Sequence, residues 1–296
     1  MKKKSSADQQ STKFIEIAKA KSTWIFDMDG VLYRGRNVVP GAPAAIALLR
    51  RLGKKVLFLT NNSTRTRDMY VDLLRGMGIT ATIGEIFTSA SILASWLETH
   101  VKSQGLDTGS VNLYVIGEDG IRIDLQQRGF AIKTDAEFDS DKSLHGKVQH
   151  VVVGLDRGLT YRKLDIAQNC IVRGAKFLAT NDDAALPVED GFLAPGAGAI
   201  IQALVTCTKR SPDFGSPFGK PNPAVFHEIG KATGVALADM ISIGDRLETD
   251  ILAAKQAGIT SVLVFTGITT PGEPIPFKLS PDFTLKSIDD LNNLLG

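Results

Sequence analysis

The sequence is poor in the residues that announce several common chemistries. Only two of its 296 residues are cysteine, Cys170 and Cys207, and they belong to no CxxC or Cys/His metal spacing. Both read as small buried hydrophobes in a reducing compartment. The four histidines, His100, His145, His150 and His227, are scattered, which speaks against a zinc site or a histidine base. Net charge is only +2, and much of the basicity sits in Lys2, Lys3 and Lys4, so the body of the chain has no basic surplus for nucleic acid. No apolar run reaches membrane-spanning length, and polar residues follow the basic start where a signal peptide needs an apolar stretch. The glycosylation sequons within Asn61-Asn62-Ser63-Thr64 are then chance matches. No GxGxxG turn is present, and 215–220 is too short for a P-loop, with Pro221 where Ser or Thr belongs. These absences predict a cytoplasmic protein with no nucleic-acid or membrane partner.

What is present begins with Asp27-Met28-Asp29-Gly30, following the apolar run Trp24-Ile25-Phe26. That run predicts the end of a buried strand, and the alternation along a strand points Asp27 and Asp29 the same way. Two carboxylates that close need a cation between them, or one must hold a proton. Magnesium satisfies the first condition and a general acid the second.

Along the chain, 1–20 reads as a flexible tail ending in a short helix at 14–20. A helix over 44–52 and a buried strand over 55–59 then complete a βαβ unit. Its right-handed crossover brings Thr60 and Asn61 to the same sheet edge as Asp27, where a hydroxyl, an amide and the free N–H groups of a helix starting near Thr66 suit a phosphate. The alternative for this stretch is an ordinary helix cap, Ser63 or Thr64, with no ligand role. A second αβ series follows, with strands at 111–116, 151–153 and 176–179, helices at 120–128 and 161–173, and an exposed polar loop over 134–146. The third region places Lys220 before a helix over 223–233. There a strand over 240–243 delivers Asp245 and Asp250, and helices at 251–258 and 288–295 close the chain.

The interval from Asn61 to Lys220 is far longer than one crossover needs. The prediction is therefore a doubly wound parallel-sheet α/β core over 21–89 and 213–296, with an inserted α/β domain over 90–212. Four acids at one edge repel unless a divalent cation and Lys220 balance them. With a metal bound, Asp27 can attack phosphorus as a carboxylate nucleophile and Asp29 can serve as acid and base. Lys220 then neutralises phosphoryl oxygens, Asp245 binds magnesium and Asp250 orients Lys220 or a metal-bound water.

The order DMDGVLYRG, LTNNST, GKP and GDRLETDI resembles the four motifs of the haloacid dehalogenase superfamily. It is most similar to the capped branch of 4-nitrophenylphosphatase, phosphoglycolate phosphatase and pyridoxal phosphatase type, with a C2-type cap between the second and third motifs. The resemblance implies a Rossmann-like core and Asp27 as nucleophile, with Asp29 as acid/base and Lys220 as the stabilising lysine. It also implies Thr60 and Asn61 as phosphate ligands. The resemblance implies that magnesium would be held by Asp27, the Asp29 main-chain carbonyl and Asp245, with Asp250, Gly30 and Asn62 as supporting residues. It further implies a cap that closes over the site and commonly forms a homodimer, with a specificity loop over 180–187 that offers Asn181, Asp182 and Asp183. Those acids suit a small hydroxylated phosphate ester, whereas a substrate carboxylate calls for a cation such as Arg157. The expected activity is magnesium-dependent hydrolysis of small phosphomonoesters; a phosphomutase or a silent binding protein on the same fold is the alternative.

Overall fold

Trp24, Ile25 and Phe26 are fully buried, as a continuous apolar run requires when both faces of a parallel strand are covered. They form the strand Thr23–Asp27. The computed structural model describes residues 6–187, 192–215 and 217–296, and the chain divides into two units. One unit comprises Met1–Thr60, Val71–Phe87 and Lys220–Gly296, and the other comprises Asn61–Tyr70 and Thr88–Gly219.

In the first unit a six-stranded sheet runs in the order Phe283–Leu285, Thr260–Val264, Met240–Gly244, Thr23–Asp27, Lys55–Thr60 and Ile86–Thr88. The pairings from Phe283–Leu285 across to Lys55–Thr60 are parallel, with Phe26 opposite Ile243 on one side and Phe58 on the other. In chain order the sheet starts at Thr23–Asp27 and grows first to one side and then to the other. This is the doubly wound arrangement, and its switch point lies between Thr23–Asp27 and Met240–Gly244. A ligand crevice belongs there, beyond the carboxyl ends of those two strands. The helix Ala42–Arg51 buries Ala45, Ile46 and Leu49, and the chain leaves it through Gly53 at φ 73°.

The second unit has its own four-stranded parallel sheet, ordered Ala131–Lys133, Asn112–Ile116, His150–Val153 and Lys176–Ala179. Val151 and Val153 pack with Phe177 and Cys170 in its core, joined by Ile200, Ile201 and Leu204 from the helix Ala197–Thr208. An antiparallel pair, Ala185–Pro187 with Leu193–Pro195, follows the last sheet strand.

Several expectations require correction. The predicted tail contains a 15-residue helix, Ser6–Ala20. Phe14 and Ala18 are buried, and the Phe14 ring meets Trp24 at 6.3 Å and Phe283 at 5.2 Å, so apolar burial holds this segment against the sheet. Lys2, Lys3 and Lys4 lie outside the described residues, as do 188–191 of the stretch matched to the cap.

The predicted polar loop over 134–146 is a helix, Asp135–Ser140, and a 3-10 turn, Lys142–Gly146. Thr134 and Glu137 form a capping box, and Phe138 is fully buried against the Tyr114 ring at 5.3 Å. The helix after Thr60 is capped by Thr66, whose hydroxyl accepts from the Met69 amide at 3.2 Å; neither Ser63 nor Thr64 does this. Cys170 is buried, but Cys207 is exposed on its helix, and both are free thiols.

Candidate active site

Asp27 is the last residue of its strand and Asp245 follows the last residue of Met240–Gly244, so the two flank the switch point. Asp250 lies one turn further, in the π-helical turn Leu247–Ile251 that carries the chain from strand into helix. Carboxylate oxygens of Asp27, Asp245 and Asp250 all lie within 4.8 Å of one another.

Lys220 stands among them, 4% exposed, with Nζ donating to Oδ1 of Asp27 and to Oδ1 of Asp250 at 2.5 Å each. Burial alone would pull the Lys220 ammonium down, but the charges of Asp250 and Asp27 hold it above its ordinary value. Burial lifts the Asp27 carboxyl; Lys220 opposes that rise, and Asp250 and Asp245 add to it. Burial and the Asp250 charge push Asp245 up to about 6. Three carboxylates face one ammonium in a dry site, and a divalent cation held by them would supply the missing positive charge. The donor set is all oxygen, as magnesium prefers.

Asp250 differs from its two neighbours. Its Oδ1 accepts from Lys220 and its Oδ2 from the Arg246 amide at 3.1 Å, so both oxygens face donors of the protein. Its contact with Lys220 is a direct ion pair between two buried side chains. Gly30, at φ 86°, permits the close packing of Asp245: a β-carbon there would lie 2.5 Å from Oδ2 of Asp245. Asp29 is exposed at the turn between Asp27 and Tyr33, where it bridges Tyr33 and the Gly30 amide donates to the Tyr33 carbonyl at 2.7 Å. Thr60 is buried at the end of Lys55–Thr60.

In the second unit the remaining candidates form a polar group of their own. Asn61 and Asn181 both donate to Oδ2 of Asp183, at 3.0 and 2.8 Å, and Thr180 donates to Oδ1 of Asn181 at 2.9 Å. Asn62 accepts from the amide and the hydroxyl of Thr64 at 3.0 and 2.8 Å, which makes it a turn-former. Asp182 is exposed, and partial burial with the Asp183 charge raises its carboxyl. Arg157 is engaged by Glu118 through Nε at 2.8 Å and Nη2 at 2.6 Å. Among the described residues no histidine or cysteine joins a metal-binding group.

The haloacid dehalogenase-like hydrolase family model matches residues 24–131, and a second, HAD-hydrolase-like model matches 217–291. Phosphoglycolate phosphatase 2 of Arabidopsis thaliana is 32% identical over 303 residues, covering 96% of this chain and 97% of the relative. The chain belongs to the haloacid dehalogenase-like hydrolases. This hydrolase is also 33% identical to the acid sugar phosphatase of Staphylococcus epidermidis, over 90% of its own length and 95% of the relative's. Among solved structures, 4-nitrophenylphosphatase from Thermotoga maritima superposes with a TM-score of 0.81 at 30% identity, covering 95% of the hydrolase and 99% of that chain.

The reading of the sequence missed the loop after Thr260–Val264. In the hydrolase this loop wraps Asp245: the Ile268 amide donates to its Oδ2 at 2.6 Å and the Thr269 amide to its main-chain carbonyl at 3.1 Å. The signal available was Thr266-Gly267 one residue past a buried strand, a place where backbone and ligand groups come close.

Proposed function

We propose that this hydrolase is a phosphatase of small phosphomonoesters, working through an aspartyl phosphate on Asp27. The observation that carries the reading is the placement of Lys220 between Asp27 and Asp250, beside Asp245, at the switch point of the sheet. The names of its relatives, phosphoglycolate phosphatase, acid sugar phosphatase and 4-nitrophenylphosphatase, support the same class.

In this reading Asp27 uses one carboxylate oxygen to attack phosphorus, and the ester P–O bond breaks. Asp29 gives its proton to the departing alcohol oxygen, then takes one from the water that attacks the aspartyl phosphate. Inorganic phosphate leaves and Asp27 is restored. Lys220 favours the ionised form of Asp27 and offsets phosphoryl charge, while Thr60 and Asn61 bind phosphoryl oxygens. Asp27, the Asp29 carbonyl and Asp245 hold magnesium, with Asp250, Gly30 and Asn62 in support. Magnesium, when bound, polarises the phosphoryl group and offsets its charge.

The second unit acts as the cap, with Asn181, Asp182 and Asp183 choosing among small phosphorylated metabolites. A cytoplasmic location and a homodimer through the cap complete the reading. The free thiols of Cys170 and Cys207 support the first, and the exposed Phe192 and Leu193 support the second. Among the described residues no helix is long and apolar enough to cross a membrane.

The test is phosphate release from a panel including 4-nitrophenyl phosphate and phosphoglycolate, with magnesium and with EDTA. Release in magnesium that EDTA abolishes is expected; a folded protein that releases phosphate from no ester would overturn the reading.

A further inference from the structure

The mechanism makes no use of Thr266, Gly267 or Ile268, yet these residues join the two sides of the proposed metal site. The Thr266 hydroxyl donates to the Gly30 carbonyl at 2.7 Å, tying the loop to the turn that carries Asp29. Two residues on, the Ile268 amide donates to Oδ2 of Asp245 at 2.6 Å. Between them, Gly267 backs directly onto the same carboxylate: a β-carbon there would lie 1.8 Å from Oδ2, closer than any side chain allows. Arg34, in the hairpin beyond Gly30, donates through Nε to the Thr266 carbonyl and closes the connection.

We infer that Thr266–Gly267–Ile268 is a strap of positioning residues. It sets Asp245 in register with the Asp29–Gly30 turn, so that an acidic side chain and a main-chain carbonyl from distant parts of the chain meet one divalent cation. The inference rests on the reading of Asp245 as a magnesium ligand. The physical need is plain: Asp245 follows one strand, while the Asp29 carbonyl belongs to a turn after another. A metal ion with octahedral demands tolerates little play between them. Groups that orient metal ligands from behind commonly change metal affinity by about 10–100-fold when removed. Gly267 leaves room for no other residue, and the Thr266 hydroxyl ties the strap to the Gly30 carbonyl.

The experiment is calorimetric titration of magnesium into the full-length metal-free protein, with thermal melting of the same samples. Thr266→Val, which keeps the shape and loses the hydroxyl, should weaken magnesium binding about tenfold with the melting temperature of the metal-free protein unchanged. Thr266→Ser should restore wild-type affinity. Gly267→Ala should weaken binding about a hundredfold, and if that variant fails to fold, the Thr266 pair decides alone. Wild-type affinity in Thr266→Val overturns the strap while leaving the magnesium reading intact. A wild-type protein that binds magnesium no better than Asp245→Asn overturns the magnesium reading and the strap with it.

Discussion

The Lys220 ammonium lies 2.5 Å from Oδ1 of Asp250, and both side chains are 4% exposed. A pair this dry is held by charge and breaks badly when one member is removed. Lys220→Met would leave the carboxylates of Asp27 and Asp250 facing each other across the space the ammonium filled. Chemical denaturation without added metal should then show a loss of about 3–5 kcal/mol. Turnover should fall with it, and unchanged stability would argue that Lys220 is not the counter-charge of both acids.

Asp27→Asn keeps the shape of the side chain and removes its nucleophilicity. Turnover of 4-nitrophenyl phosphate should drop by about 10⁴-fold or more, with the fold retained by circular dichroism. Lys220 keeps its pair with Asp250, and the repulsion of Asp27 by Asp250 and Asp245 is relieved, so the variant should melt no lower than the wild type. Activity close to wild type would rule out the aspartyl-phosphate route.

His150 begins a strand of the second unit, 8% exposed, with Nδ1 buried and without a hydrogen-bond partner. Burial pulls its imidazole down to about 4, and the charges of His100 and Lys176 add to this while Asp213 opposes it. The unfolded chain takes up this proton near pH 6.5 and the folded chain does not, so the unfolded state binds more protons between about pH 6.5 and 4. The stability that His150 contributes is therefore complete above that window and is lost as pH falls through it, by up to about 3 kcal/mol. His150→Leu should reduce the difference in unfolding free energy between pH 7 and pH 4.5 by about 2–3 kcal/mol. An identical pH dependence in the two proteins would show that His150 is charged in the native state.

Phe14 tests the amino-terminal helix. It is 2% exposed and packs edge-on to Trp24 and Phe283. Phe14→Ala should cost about 3–5 kcal/mol in chemical denaturation, the usual range for emptying a buried aromatic site. A loss under about 1 kcal/mol would mean that the helix stands apart from the sheet in solution.

The site was legible wherever a signal lay within a few residues. Trp24–Phe26 marked a strand, so Asp27 could be placed at its end, and Gly244 before Asp245 did the same for a second strand. The Thr134/Glu137 capping box was equally local and could have revealed the helix Asp135–Ser140; the polarity of the stretch hid it. Phe138 sits among charged neighbours, so only its fully buried position shows what that helix is for.

The sequence by itself determined the family and the main strands and helices of the parallel core, and it singled out the acids and the lysine proposed for the chemistry. Periodicity, turn residues and motif order are written over short spans, and those spans suffice for such conclusions. Only the tertiary structure decided that Lys220 reaches both Asp27 and Asp250, that Phe14 closes on Phe283, and that Gly267 backs onto Asp245. These pairs are far apart in the chain. Their meeting depends on the sheet order and on how much space each side chain leaves, which no local pattern encodes.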